Sequence, residues 1–274
     1  MSIDVGLRLE HSMRPLGRHF DTHKASDLCF AKYIDKAVLI GTLQAPAALN
    51  WKAFPTVTGL LPEPDTDPLA NDTLGCCVFA APGHMINMIA KQLGITNLVV
   101  TADMVRAEYL KRTGGSDTGY YVRSMLDIWK SEGLYGTKID GYCMVNKNSA
   151  DEVALATWLG GGLIGGYNLP LASQGQVDSK GRQLWDVPVG GWPAGQGPSS
   201  WGGHCMDVQG TSPGMDEVNS WGESVEYTAA WRQDCCSELY LPLVKNWQGT
   251  DGRAPNGFAY QDLLADITAR SSGA

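Results

Sequence analysis

The residues best suited to chemistry in this 274-residue chain are a cysteine, a histidine and an asparagine that lie far apart in the sequence. Cys77 stands where a loop containing Gly75 gives way to an apolar run typical of a helix, and a helix N-terminus favours a thiolate. His204 opens one predicted strand and Asn219 closes the next, so a short antiparallel turn would bring them side by side. A nucleophilic thiol needs a base within hydrogen-bond reach and a third group that holds the base. These residue types therefore predict a Cys-His-Asn site divided between a helical half and a stranded half.

The helical half is predicted from apolar residues that recur with helical spacing. Such spacing runs through four segments, 77–93, 101–115, 117–136 and 148–162. Thr101 is expected to cap the second helix, and Ser149 with Glu152 forms the capping-box pattern of the fourth. Pro82 interrupts the first segment and costs about 3 kcal/mol inside a helix unless the helix bends or begins late.

The stranded half follows in short segments that are separated by Gly or Pro. These segments are 161–170, 183–190, 204–210, 216–221 and 237–244. Helices that come first and strands that come after indicate an α+β fold, or two lobes of different composition.

Charge and cysteine content exclude several classes of protein. The net charge of −8 argues against nucleic acid or an anionic membrane surface as the main partner. No apolar run reaches about 18 residues, and the N-terminus has no apolar signal region, so we expect a cytoplasmic protein or part of a large assembly or virion.

Seven cysteines without a C-x-x-C motif predict mostly free thiols, and neither a metal nor a cofactor is expected.

Three short motifs resemble those of the papain-like cysteine peptidases. The sequence reads "GCC" at 75–77, "GGH" at 202–204 and "NSWG" at 219–222, where that family has Gly-x-Cys, Gly-His and Asn-Ser-Trp-Gly. The segment at 117–136 is also similar to a helix of many bacterial papain-like domains. The likeness runs from about residue 45 to about 230.

The resemblance implies a role for each residue of the site. Cys77 would be the thiolate nucleophile and His204 its base, which later protonates the leaving amine. Asn219 would orient the imidazole, and Trp221 would shield that contact from water. Asn71, six residues before the nucleophile, would form the oxyanion hole together with the backbone N–H of the cysteine.

Two adjacent cysteines leave a choice of nucleophile. Alignment on the Gly-x-Cys motif selects Cys77 and places Gly75 at the family's glycine. Alignment on Phe79 as the family's aromatic residue would select Cys76 instead, but it places Ala70 at the oxyanion position and a leucine at the glycine. We therefore predict Cys77.

The resemblance also implies a two-lobed α+β fold with the site in the cleft between a helical lobe and an antiparallel β-sheet or barrel lobe. We expect an N-terminal arm at 1–44, a catalytic domain at 45–235 and a C-terminal strand and helix extension at 236–274. Within the domain, the helical lobe would cover about 45–150 and the β lobe about 151–235. The arm is shorter than the inhibitory pro-segments of secreted relatives, so activation by removal of a pro-segment is not expected.

Three functions are compatible with these residues. The first is a thiol-dependent hydrolase that cleaves peptide or isopeptide bonds in a peptide or protein substrate. The second is a papain-like domain of little or no activity that serves as a structural component of a larger assembly, such as a virus particle, through its two extensions. Departures from the family at Asn71, Val78, Pro82 and Val225 motivate that alternative. The third is an amidase, an acyltransferase or a cell-wall peptide hydrolase that uses the same residues.

Overall fold

The computed structural model describes residues 14–21, 29–33, 45–54, 56, 65–245 and 247. The helices of these parts are α1 (Phe30–Tyr33), α2 (Cys77–Leu93), α3 (Ala102–Arg112), α4 (Val122–Ser131), α5 (Ala150–Gly160) and α6 (Ala229–Cys235). The strands are β1 (Leu49–Asn50), β2 (Ile139–Met144), β3 (Leu163–Leu169), β4 (Leu184–Trp185), β5 (Gly202–Ser212), β6 (Met215–Ser220), β7 (Glu223–Thr228) and β8 (Cys236–Val244). The α+β class predicted from the sequence is confirmed.

Helix α2 is the buried centre of the helical side and has the predicted bounds. Nearly all of its residues are buried, and it packs against α3, α4 and strand β5. Pro82 lies inside it, and the chain tolerates the lost hydrogen bond because packing on every side stabilises the helix more than propensity does. Gly94 ends the helix in the left-handed conformation and donates to the carbonyl groups of the last turn.

The predicted caps of the neighbouring helices are present. The Thr101 side chain accepts a hydrogen bond from the N–H of Met104, and the Ser149 side chain accepts one from the N–H of Glu152. The Glu152 carboxylate accepts from the N–H of Asn146. These local contacts hold α3 and α5 at their first turns.

One mostly antiparallel sheet forms the β side, in the order β2-β8-β3-β5-β6-β7-β4, with β1 also paired to β5. Residues 236–244, which the sequence analysis places in a C-terminal extension, form strand β8 between β2 and β3. Strand β2, within the range assigned to the helical lobe, joins the same sheet. The remainder of the expected extension, 248–274, lies outside the described residues, as do most residues of the expected arm.

The register of β5 and β6 decides which side chains share a face. Asp207 pairs with Asn219, so these two side chains lie on the same face. Because side chains alternate along a strand, His204 and Ser220 lie on the opposite face. A bulge between Val208 and Gly210 sets this register.

Each of the seven cysteines is a free thiol. Within the described ranges, no helix has the length and apolar character needed to cross a membrane. The same ranges contain no cluster of His, Cys, Asp or Glu side chains suited to a metal ion.

We expect Gly161→Ala to destabilise the protein more than Gly181→Ala. Both glycines have positive φ, +76° and +80°, so an alanine costs about 1–2 kcal/mol at either position. At Gly161 the new Cβ would also lie 2.6 Å from the ring of Trp247, which adds about 1–3 kcal/mol of overpacking, whereas no described atom lies within 4 Å at Gly181. Urea unfolding of both variants measures the difference. Equal losses would show that Trp247 does not pack on α5.

Candidate active site

Cys77 is the first residue of α2 and is fully buried against strand β5. Burial raises the pKa of Cys77 to about 11, although hydrogen bonding from the backbone of Cys205, Gly17 and Val78 favours the thiolate. The side chain is therefore a thiol at neutral pH.

The adjacent cysteine has different surroundings. The Sγ atom of Cys76 lies 3.7 Å from the carbonyl oxygen of Leu69, in the loop before the helix, and burial raises its pKa as well. Of the two, Cys77 is the one that contacts the backbone of Cys205, the residue directly after His204.

His204 is buried on β5, and its two ring nitrogens have different surroundings. Nε2 lies 2.9 Å from the hydroxyl oxygen of Ser220, while Nδ1 is buried without a hydrogen-bond partner among the described residues. Burial, together with the charges of Arg14 and Arg18, lowers the pKa of His204 to about 3. The imidazole is therefore neutral at pH 7, and no hydrogen bond joins Nδ1 to the Cys77 sulfur within the described part of the chain.

Trp221 lies directly on the imidazole, whereas its expected role, shielding an Asn219–imidazole contact, remains a prediction. The two rings are stacked with centroids 4.2 Å apart, and Trp201 also stacks on Trp221 at 5.6 Å. The guanidinium of Arg14 lies over Trp221 at 5.0 Å. This stack excludes water from one face of His204.

Asn219 does not share a face with the ring that it was expected to orient. Its Nδ2 donates to the carbonyl oxygen of Asp65 at 3.1 Å, and its Oδ1 accepts from the N–H of Gly222 at 3.1 Å. The register described above explains this placement, and it puts Ser220 on the imidazole instead. Sequence analysis missed Ser220, although it belongs to the same "NSWG" motif. A catalytic role for Asn219 remains a prediction.

Asn71 and Gly75, the two other residues predicted for the site, lie in the loop before α2. Asn71 is buried, and its Nδ2 donates to the carbonyl oxygen of Leu74 at 2.9 Å. The N–H of Gly75 donates to Asp117 at 2.9 Å, and Asp117 also accepts from the hydroxyl of Tyr109 at 2.6 Å. The loop is thus held to the helical side, and the oxyanion role of Asn71 remains a prediction.

Residues 14–21 run across the cleft, directly over the candidate nucleophile. A Cβ on Gly17 would lie 1.6 Å from the carbonyl oxygen of Gly75, so only glycine allows this approach. The carbonyl oxygen of Gly17 accepts from the N–H of Tyr120 on the helical side at 2.6 Å. The N–H of Arg18 donates to the carbonyl oxygen of Gly203 on the β side at 3.2 Å. This segment, which we call the arm strand, therefore closes the cleft.

Side chains of the arm strand extend this closure. Arg14 forms an ion pair with Glu223, and Leu16 packs against Gly202, where a Cβ would lie 2.9 Å from its side chain. These contacts were not predicted from the sequence, because residues 14–21 have no periodic pattern and the short length of the expected arm, 1–44, argued against an inhibitory role. The sequence feature that could have indicated these contacts is Gly17 within "RPLGRHF", since a glycine in an extended segment often marks a close approach of two backbones.

Comparison with known proteins gives structural relatives alone. No protein-family model matches the sequence, and no curated protein matches it significantly. Xylellain, a cysteine protease from Xylella fastidiosa, has a TM-score of 0.60 at 13% identity, over 84% of this chain and 96% of that one. ProCathepsin B S9 from Trypanosoma congolense has a TM-score of 0.56 at 10% identity, over 87% of this chain and 89% of that one. The chain is thus similar to papain-like cysteine proteases in structure, and the papain-like α+β fold is confirmed.

The buried imidazole predicts a loss of stability in acid. The pKa of His204 is about 3 in the folded chain and 6.5 in an unfolded one, so only the unfolded chain gains this proton as pH falls from 6.5 towards 3. At pH 4.5 this proton destabilises the fold by about 2–3 kcal/mol. Unfolding in urea at pH 7 and 4.5 should therefore show a smaller loss for His204→Gln than for the parent protein.

Asp207 provides a control, because its effect on folding stability in acid has the opposite sign to that of His204. Burial raises its pKa to about 6 from 3.8, so the folded chain gains this proton first and becomes more stable as pH falls between those values. Asp207→Asn should therefore lose more stability in acid than the parent protein. If His204→Gln and the parent lose the same amount, the imidazole is not held neutral in the fold.

Proposed function

We propose that this chain is a thiol-dependent hydrolase of peptide or isopeptide bonds, held closed by its own arm strand. The observation that carries the proposal is the path of the arm strand. Its backbone is extended over Cys77 and hydrogen-bonds to Tyr120 on one side and to Gly203 on the other. A cleft that binds one extended backbone in this way has the shape and the donors and acceptors to bind a peptide substrate.

Displacement of the arm strand would shift the pKa values of Cys77 and His204 towards those of an active thiolate and base. Burial is the main cause of both pKa shifts, so entry of water lowers the pKa of Cys77 and raises that of His204. The start of α2 then favours the thiolate, and the unpaired Nδ1 accepts the thiol proton. Ser220 keeps Nε2 in place during this transfer.

The reaction then follows the usual course of acyl transfer. The thiolate of Cys77 attacks the scissile carbonyl, and the imidazolium of His204 returns its proton to the leaving amine. Water, deprotonated by the same ring, releases the acyl group. Asn71 and the backbone N–H of Cys77 are the proposed oxyanion donors, each worth about 3 kcal/mol to the transition state in comparable enzymes.

A structural role is the second candidate, and the closed cleft favours it. Cys77 is fully buried, and its pKa of about 11 leaves it unreactive in this state. A domain whose arm strand never leaves would act as a binding or structural component of a larger assembly. The two candidates differ in whether the cleft opens.

We expect Arg18→Met to release the arm strand and expose Cys77. The Arg18 side chain is buried in an ion pair with Glu238, and the loss of one partner of such a pair costs about 3–5 kcal/mol. Alkylation by iodoacetamide or E-64 at pH 7, located by mass spectrometry, should therefore be at least ~10-fold faster at Cys77 in the variant.

Arg112→Met is the matched control, because Arg112 forms ion pairs with Glu108 and Glu132 on the helical surface. It should leave the alkylation rate of Cys77 unchanged. If Cys77 in Arg18→Met stays as unreactive as the other cysteines, the structural role becomes the better explanation.

The placement of Ser220 predicts which residue positions the base. With Arg18→Met as background, Ser220→Ala should lower kcat about tenfold with little change in KM, because it removes one hydrogen bond to the imidazole. It should also shift the lower apparent pKa of the pH–rate profile. Asn219→Ala should mainly lower stability, since Asn219 bonds to Asp65 and Gly222. If Asn219→Ala lowers kcat while Ser220→Ala mainly lowers stability, Asn219 is the positioning residue instead.

A further inference from the structure

The side chain of Arg18 enters a pocket in the sheet beside the cleft. Its side chain is 0% exposed and that of Glu238 is 4% exposed. Nε of Arg18 donates to the Glu238 carboxylate at 2.9 Å, and Nη2 lies 2.8 Å from the same oxygen. An arginine of the arm strand thus forms a buried ion pair with a carboxylate of the sheet, one residue from Gly17, which lies over Cys77.

Each nitrogen of the guanidinium donates at least one hydrogen bond in this pocket. Nη1 donates to the carbonyl oxygen of Tyr167 at 3.1 Å and to Oδ1 of Asn168 at 3.0 Å. Nη2 donates to the hydroxyl of Ser237 and lies in the ion pair with Glu238. Five donors in a planar fork match this arrangement, whereas lysine has three donors at a single point. The pocket is therefore specific for the guanidinium and not merely for positive charge.

A glycine provides the space for the guanidinium. A Cβ on Gly166 would lie 2.4 Å from Nε of Arg18 and 2.5 Å from the Glu238 carboxylate. At the mouth of the pocket, a Cβ on Gly203 would lie 2.4 Å from the carbonyl oxygen of Arg18. The two glycines allow both the side chain and the backbone of the arginine to approach closely.

The pocket opens at a fixed position relative to the reactive groups. The N–H of Arg18 donates to Gly203, the residue before His204, and Gly17 lies against Gly75 and Cys77. An extended peptide that follows the same path over the thiol places one side chain at the mouth of this pocket.

We propose that this pocket is the subsite that selects the substrate, and that it accepts an arginine side chain with Glu238 as its charge partner; this rests on the function proposed above. When the arm strand leaves, Glu238 loses its counterion in a buried place, which is costly. A substrate arginine restores that pair and fills the same donor and acceptor positions. Arg18 is thus an internal competitor of the substrate, and the same pocket closes the cleft and confers specificity.

Binding is tested first, without any catalytic readout. In full-length Arg18→Met, N-acetyl-arginine methylamide at about ten times its Kd should raise Tm by about 3 °C or more, and N-acetyl-leucine methylamide should not. Glu238→Gln in the same background should abolish the shift. Asp216→Asn is the matched control, because Asp216 pairs with Arg232 in another buried ion pair, and it should retain the shift. If Arg18→Met does not fold, Arg18→Gln replaces it, since this shorter neutral side chain leaves the guanidinium position empty.

Substrate specificity is tested in full-length Arg18→Met with fluorogenic peptides that differ only at the side chain expected in the pocket. Arginine should exceed leucine by at least ~100-fold in kcat/KM and lysine by about tenfold, and Glu238→Gln should remove both preferences. Gly166→Ala should lower the rate for arginine peptides alone.

The outcomes separate this inference from the proposed function. An arginine-dependent Tm shift without cleavage of any peptide supports the pocket and contradicts the hydrolase. Equal cleavage of arginine and leucine peptides, or a Tm shift that survives Glu238→Gln, overturns the pocket and leaves the hydrolase intact.

Discussion

The buried ion pair between Arg18 and Glu238 is the interaction on which the state of the site depends. Two charges withdrawn from water are stable only when their donors and acceptors are matched, and here the guanidinium makes four hydrogen bonds and an ion pair. This pair fixes the arm strand at one point of the sheet. Because Gly17 directly precedes Arg18, the ion pair also holds the backbone of Gly17 against Gly75, where it covers Cys77. An electrostatic contact at the edge of the cleft therefore controls solvent access at its centre.

Burial in turn sets the protonation of the candidate nucleophile and of the candidate base. It raises the pKa of Cys77 to about 11 and lowers that of His204 to about 3, so the thiol and the imidazole are both neutral at pH 7. Under the proposed function, opening would shift both pKa values back, in opposite directions, and both shifts would favour proton transfer from sulfur to nitrogen. Access and reactivity would then change together, as in a two-state element.

Local patterns of the sequence predicted the local elements, while contacts distant in sequence were not predictable. Helix α2 and the caps at Thr101 and Ser149 depend on residues within a few positions of one another, and they formed as expected. The arm strand depends on Arg18 meeting Glu238, 220 residues away, and no periodicity records such a contact. Likewise, nothing in the order of segments shows that β8 lies between β2 and β3 rather than beyond the domain.

The candidate site likewise has features that the sequence predicts and one, the strand register, that it does not. Counting along the chain identifies the types and order of its members, but the face that each occupies depends on register. Val208 pairs with Val218, whereas Gly210 pairs with Glu217, so one extra residue bulges from β5. Without that bulge Asn219 would pair with Val208 and share the face of His204; with it, Asn219 turns away and Ser220 meets the imidazole. The "NSWG" motif thus supplies two polar candidates for the ring, and the bulge decides between them.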